Sequence, residues 1–172
     1  MRVTAPPAMG MSGSAGSQEL AGIRARIVPD RWTREDFETL KPSLDRLIQA
    51  NPEQADAWAL RSIIASLQIL RTFDYGTAVL MAGKSDAERA LRLAPGSRLG
   101  ELALGLHYVA MTTRGGDPNA AGPHIERAVA GLSRDTLSRY AEIAKPRGSG
   151  LNHCDRCSLT LAATRKGPSH RG

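Results

Sequence analysis

Three groups of residues have the types and spacing that chemistry would need. The first is His153, Cys154 and Cys157, where thiolate and imidazole donors stand close enough to enter one tetrahedral metal shell. A structural zinc site wants four ligands, however, and the chain has no second Cys pair, while His107, His124 and His170 are not at finger spacing. The pair also lacks the strand-to-helix setting of a thioredoxin-type redox motif, so Cys154 and Cys157 read as incidental, and no metal or other cofactor is expected. The second group is Gly83, Lys84 and Ser85, which imitates the end of a phosphate-binding loop. Such a loop needs a further Gly five residues before Gly83; that position is Ala78, and no strand precedes it. The third is His107 beside Tyr108, with His124 further on. No Cys or Ser nucleophile with an acid partner frames His107, so it reads as a helix-surface or interface histidine. The carboxylates Asp36, Glu38, Asp45, Asp86, Glu88 and Glu126 fall mostly on polar helix faces, where solvation accounts for them. No catalytic residue is assigned.

The elements that carry these residues are helices. Aromatic residues make up 4% of the 172, which suits close helix packing better than a β sandwich. Residues 1–16 are rich in Gly, Ser, Pro, Ala and Met without period and read as disordered. Leu20, Ile23, Ile27 and Val28 then give a short first helix from Ser17. Thr33 and Asp36 form a capping-box pattern before the stripe Phe37, Leu40, Leu44, Leu47 and Ile48, a second helix ending near Ala50; Pro42 inside it predicts a kink or a late start. Further helices are expected at Ala55–Leu70, Val79–Leu93, Ser97–Thr113 and Ala120–Leu132, with a seventh starting near Asp135 and ending before Pro146. Short connections make sequential helices antiparallel hairpins.

The hairpins repeat. Leu40, Leu44, Leu47 and Pro52 share one frame with Gly83, Ala87, Ala90 and Pro95, and with Ala121, Ile125, Ala128 and Ser133; the sets recur after 43 residues (40 to 83) and 38 residues (83 to 121). Leu104, Gly105 and Tyr108 reproduce the Leu-Gly-x2-Tyr part of the tetratricopeptide signature, with Trp58 at its leading aromatic position. Over residues 17–145 the chain resembles the tetratricopeptide (TPR) family, with departures at Arg61 and Ser62, where Leu and Gly are usual, and at Gly83, where Ala is usual. The resemblance implies an all-α fold of antiparallel helix hairpins stacked as a short TPR-like right-handed solenoid. It further implies a non-catalytic interaction scaffold or adaptor that binds a protein or peptide partner in a concave groove. Groove candidates by the resemblance are Asp56, Ala59, Ile63 and Ser66 in one hairpin and Leu99, Leu102, Leu106 and Val109 in the next. The array breaks off after the first helix of a further hairpin, which fits a truncated or frame-shifted relative of a longer array, or a short natural cap.

Charge narrows the partners. The chain carries a formal +6, but from Lys145 onward six cations (Lys145, Arg147, Arg156, Arg165, Lys166, Arg171) face one anion, Asp155, so residues 146–172 read as a disordered basic tail and the body is nearly neutral. Sequence-specific nucleic-acid binding is not expected from a neutral body. No run approaches the roughly 18 apolar residues of a membrane span, and the start lacks a signal-peptide core, so a cytoplasmic protein is expected, with self-association left open. Two other classes compete with the scaffold. One is a small helical enzyme or metal protein using His107, His124 or the Cys154–Cys157 pair; the other is a regulatory fragment of a longer multidomain sensor.

Overall fold

The computed structural model describes residues 12–27, 31–71 and 76–133, which are helical with no strand among them. The expected seventh helix, the basic tail and the cluster His153, Cys154 and Cys157 lie outside the described residues. The elements are α1 (Ser12–Arg26), α2 (Arg34–Ala50), α3 (Ala55–Leu70), α4 (Thr77–Leu93), α5 (Arg98–Thr112) and α6 (Gly122–Val129). No described helix is long and apolar enough to cross a membrane.

Local chemistry sets most of these limits. Thr33 caps α2 in a reciprocal box: its hydroxyl accepts from the Asp36 backbone N–H at 3.2 Å while the Asp36 carboxylate accepts from the Thr33 backbone N–H at 3.0 Å. The helix runs through Pro42 without interruption. Pro42 and Glu38, whose carbonyl would have received the missing N–H, are both exposed, so water can serve that carbonyl. Ser97 caps α5 by accepting from Gly100 N–H at 3.0 Å. Because the α2 cap is exposed and makes no other contact in the core, Thr33→Ala should lower stability by about 1 kcal/mol. Urea unfolding measures this directly, and an unchanged midpoint would mean that the box contributes nothing.

One boundary moves. Residues 12–16, expected to be disordered, begin α1. A methyl group built on Gly16 would lie 3.9 Å from Leu47 and from Gln54, so this turn rests against the end of α2 and the start of α3. Packing therefore holds a segment whose composition alone predicts no helix. At the other end α6 is shorter than the expected Ala120–Leu132, with turns on both sides of Gly122–Val129.

Each helix packs on its neighbour in sequence, and the odd-numbered helices also pack on one another: α3 touches α1, α2, α4 and α5, and α5 touches α3, α4 and α6. The main core joins Leu20 and Ile23 of α1, and Ile27 just past it, to Leu40 and Leu44 of α2, Leu60, Ile63, Ile64 and Leu67 of α3, and on through Leu106 to Ile125. A smaller cluster of Ile69, Leu70, Leu80 and Ala110 closes the far end of α3, α4 and α5.

The repeat frame has a structural counterpart. The first three positions of each set, Leu40, Leu44 and Leu47, Gly83, Ala87 and Ala90, Ala121, Ile125 and Ala128, are buried, whereas Pro52, Pro95 and Ser133 are exposed. The turns that leave α2 and α4 are also the same turn. The C-cap Asn51 has φ −144°, ψ 87°, and its counterpart Ala94 has φ −140°, ψ 85°. Asn51 N–H donates to Leu47 O and Ala94 N–H to Ala90 O, both at 2.9 Å; Gln54 N–H then reaches Asn51 O as Ser97 N–H reaches Ala94 O.

Candidate functional site

The groove candidates come first. Ala59, Ile63, Ser66, Leu99, Leu102 and Leu106 are all buried, the last two at 3% and 2% exposure; Asp56 and Val109 are half-buried. The expected open groove is therefore closed at these six positions. The reason lies in α3 and α5 themselves. Every residue from Ser62 to Leu70 and from Leu102 to His107 is buried, so these stretches of the two helices are covered on all sides instead of presenting one face to solvent. Asp56, on the first turn of α3, accepts from Arg24 of α1 at 3.0 Å and is thereby engaged within the stack. Val109 packs against the smaller cluster.

Two polar junctions hold the hairpins, and each uses the same place in the frame. In the α3–α4 hairpin, Arg61 donates through Nε and Nη2 to the two oxygens of Asp86, each at 2.8 Å, and through Nη1 to Asp45 of α2 at 2.7 Å. Its guanidinium also lies 4.8 Å from the Trp58 ring centre, and Trp58 Nε1 donates to Pro52 O at 2.9 Å. Burial pushes the Asp45 carboxyl up, but bonds from Lys41 and Arg61 outweigh it and hold the group below its ordinary value. The bidentate bond to Asp86 raises Arg61 despite its burial. The expectation that these carboxylates sit on solvated faces fails at Asp86, which is 6% exposed. Arg61 thus ties α2, α3 and α4 together.

In the α5–α6 hairpin His124 takes the place of Asp86, each three residues past its frame position, Ala121 or Gly83. His124 Nδ1 lies 2.7 Å from Glu101 Oε2 and 2.8 Å from Arg127 Nη2, and Arg127 Nε donates to Glu101 Oε1 at 2.8 Å. Burial alone would raise the Glu101 carboxyl; the bonds from Arg127 and His124 overcome it and keep the group below its ordinary value. An ionised Glu101 only accepts, so Nδ1 carries the proton and donates to it. Nδ1 then cannot accept from Arg127, and the 2.8 Å contact is two donors crowding one carboxylate. The Tyr108 ring stacks on His124, centroids 5.4 Å apart and planes 21° from parallel. Below them a methyl built on Gly105 would meet Ile125 Cδ1 at 2.5 Å, so the glycine lets α6 seat its isoleucine against the α5 backbone.

A histidine oriented by a carboxylate is also half of a general-base dyad. Here Tyr108 covers one face of the imidazole and Arg127 shares the carboxylate, and the cluster links α5 to α6. Gly83, Lys84 and Ser85 lie within α4, where Gly83 packs against Ala65 and the Ser62 backbone, leaving no loop to wrap a phosphate. His107 is buried at 2% exposure, with its Nδ1 lacking a hydrogen-bond partner. Sequence reasoning missed Arg61, Asp86, Glu101 and Arg127 as junction residues; the available signal was a charged residue, Arg61, at a position where the repeat expects Leu. No protein-family model, no curated protein and no solved structure matches the chain.

Proposed function

We propose that this chain is a non-catalytic protein-interaction module, a short TPR-like right-handed stack that takes a protein or peptide partner. The observation that carries the reading is the structural repeat: equivalent turns after α2 and α4, and one frame buried three times over. Contacts between successive odd-numbered helices, α1 with α3 and α3 with α5, follow the order that a stack of hairpins makes. Stacks of this kind grow by adding units and offer extended surfaces to partners. With Leu102 and Leu106 sealed, the groove candidates left at the rim for a partner are the half-buried Asp56 and Val109. Reaching the six buried groove candidates requires α5 to part from α3, and that cost lowers the apparent affinity.

The test is site-specific photo-crosslinking in cells that express the full chain. A crosslinking residue at Val109 should give a saturable protein adduct, whereas one at Ala82, exposed on α4, should not. Equal labelling at both sites, or none at Val109, would remove the rim as a docking surface.

A further inference from the structure

We propose that His107 makes the α4–α5 junction an acid-sensitive joint, at which taking up one proton parts α5 from α4 while the rest of the stack stays folded. The inference concerns the fold and does not depend on whether the chain binds a partner.

His107 is the buried imidazole of α5, at 2% exposure, and its Nδ1 has no hydrogen-bond partner. Its ring meets Tyr108 edge-on, centroids 5.5 Å apart. The charged groups that act on it from α4 are Lys84 and Glu88, themselves 3.7 Å apart. From α3 come Arg61, committed to Asp86 and Asp45, and Arg71 at its C-cap. From α6 come His124 and Arg127, both on Glu101 of α5, together with exposed Glu126; α5 itself adds exposed Arg98, bonded to Arg127 O. Glu101 is thus already taken by His124 and Arg127, and Glu88, the carboxylate that acts on His107, lies 3.7 Å from Lys84.

An imidazolium at this position would have two N–H donors and no carboxylate of its own, with the Lys84 charge acting against it from α4. Burial first, and Lys84 second, push His107 below its ordinary value of 6.5, while Glu88 pulls weakly the other way. The sign follows. In the closed joint the imidazole is neutral, and in the open joint it titrates normally. The closed state is therefore fully favoured above about pH 6.5 and loses ground as pH falls below it, by up to roughly tenfold in the opening equilibrium per pH unit.

Opening is expected to stay local because α1 and α2 hold α3 through contacts that contain no histidine. Hydrogen exchange of the full chain, corrected for intrinsic rates, would be compared at about pH 7.5 and about pH 5. The expected result is that amides of α5 and of the facing part of α4 lose at least tenfold protection at the lower pH, with α2 and the first half of α3 changing little. His107→Gln should abolish that difference, and His124→Gln should keep it. If His107→Gln shows the same acid loss as the parent, or if all helices lose protection together, the proposal is overturned. Should His107→Gln fail to fold, imidazole NMR of the parent decides. Proton uptake at His107 that coincides with loss of α5 protection supports the joint, and uptake near the ordinary value with α5 still protected rejects it.

Discussion

Leu106→Asp is expected to unfold the domain. The sequence alone predicts the opposite emphasis, that Asp at position 102 or 106 would weaken partner binding more than folding, because both leucines stand at groove positions of the resemblance. The structure buries Leu106 at 2% exposure in the main core. Removing a buried leucine forfeits about 1.5–3 kcal/mol of apolar burial, and placing a carboxylate there without a partner adds a desolvation penalty of several kcal/mol. The sum is comparable with the roughly 5–15 kcal/mol that holds an ordinary domain together. Far-UV circular dichroism during urea unfolding measures it. A Leu106→Asp chain that unfolds within a few tenths of a molar of the parent would show that this side chain reaches water, and would restore the open groove.

The second large effect is at Arg61. Truncation to Ala leaves Asp86, at 6% exposure, with two oxygens that no longer receive a guanidinium, and frees Asp45 from its link to α3. Removing one partner of a buried pair typically costs about 3–5 kcal/mol, most of it from the charge left behind. Arg61 keeps a quarter of its side chain exposed, 23%, so the lower end of that range is expected. The cause can be isolated with a second change. Arg61→Leu combined with Asp86→Ala, which removes both charges and leaves an apolar side chain at 61, should recover most of the loss. If the double variant is no more stable than Arg61→Ala, the energy lies in the packing of Arg61 on Trp58 and the ion pair is incidental.

These two sites mark where the sequence is informative and where it stops. The span of α3 follows from its periodicity, and the α2 start from Thr33 and Asp36, because capping and breaking are decided within a few residues. The repeat frame is legible for the same reason: small or apolar residues recur where helices meet. The closure of α3 and α5 was also written in the chain, since both are apolar around most of their circumference, yet an amphipathic repeat template assigns them an outward face. The Arg61–Asp86 bond is less accessible to sequence reading, because its partners are 25 residues apart and either one alone looks like a solvated charge. The start of α1 at Ser12 depends on Gly16 resting against α2 and α3, a contact that no local signal announces.

The matched turns after α2 and α4 bear on how such a chain can change length. Asn51-Pro52-Glu53-Gln54 and Ala94-Pro95-Gly96-Ser97 share little beyond the proline, yet they leave their helices with the same dihedral angles and the same two backbone bonds. Recombination between the two points would therefore excise or duplicate a block while rejoining the same kind of backbone on either side. What would not carry over are the side-chain locks, because Arg61 needs Asp86 and Glu101 needs His124. Gene-level shuffling at these sites would preserve the path of the main chain and select for new cross-helix charges at the seam.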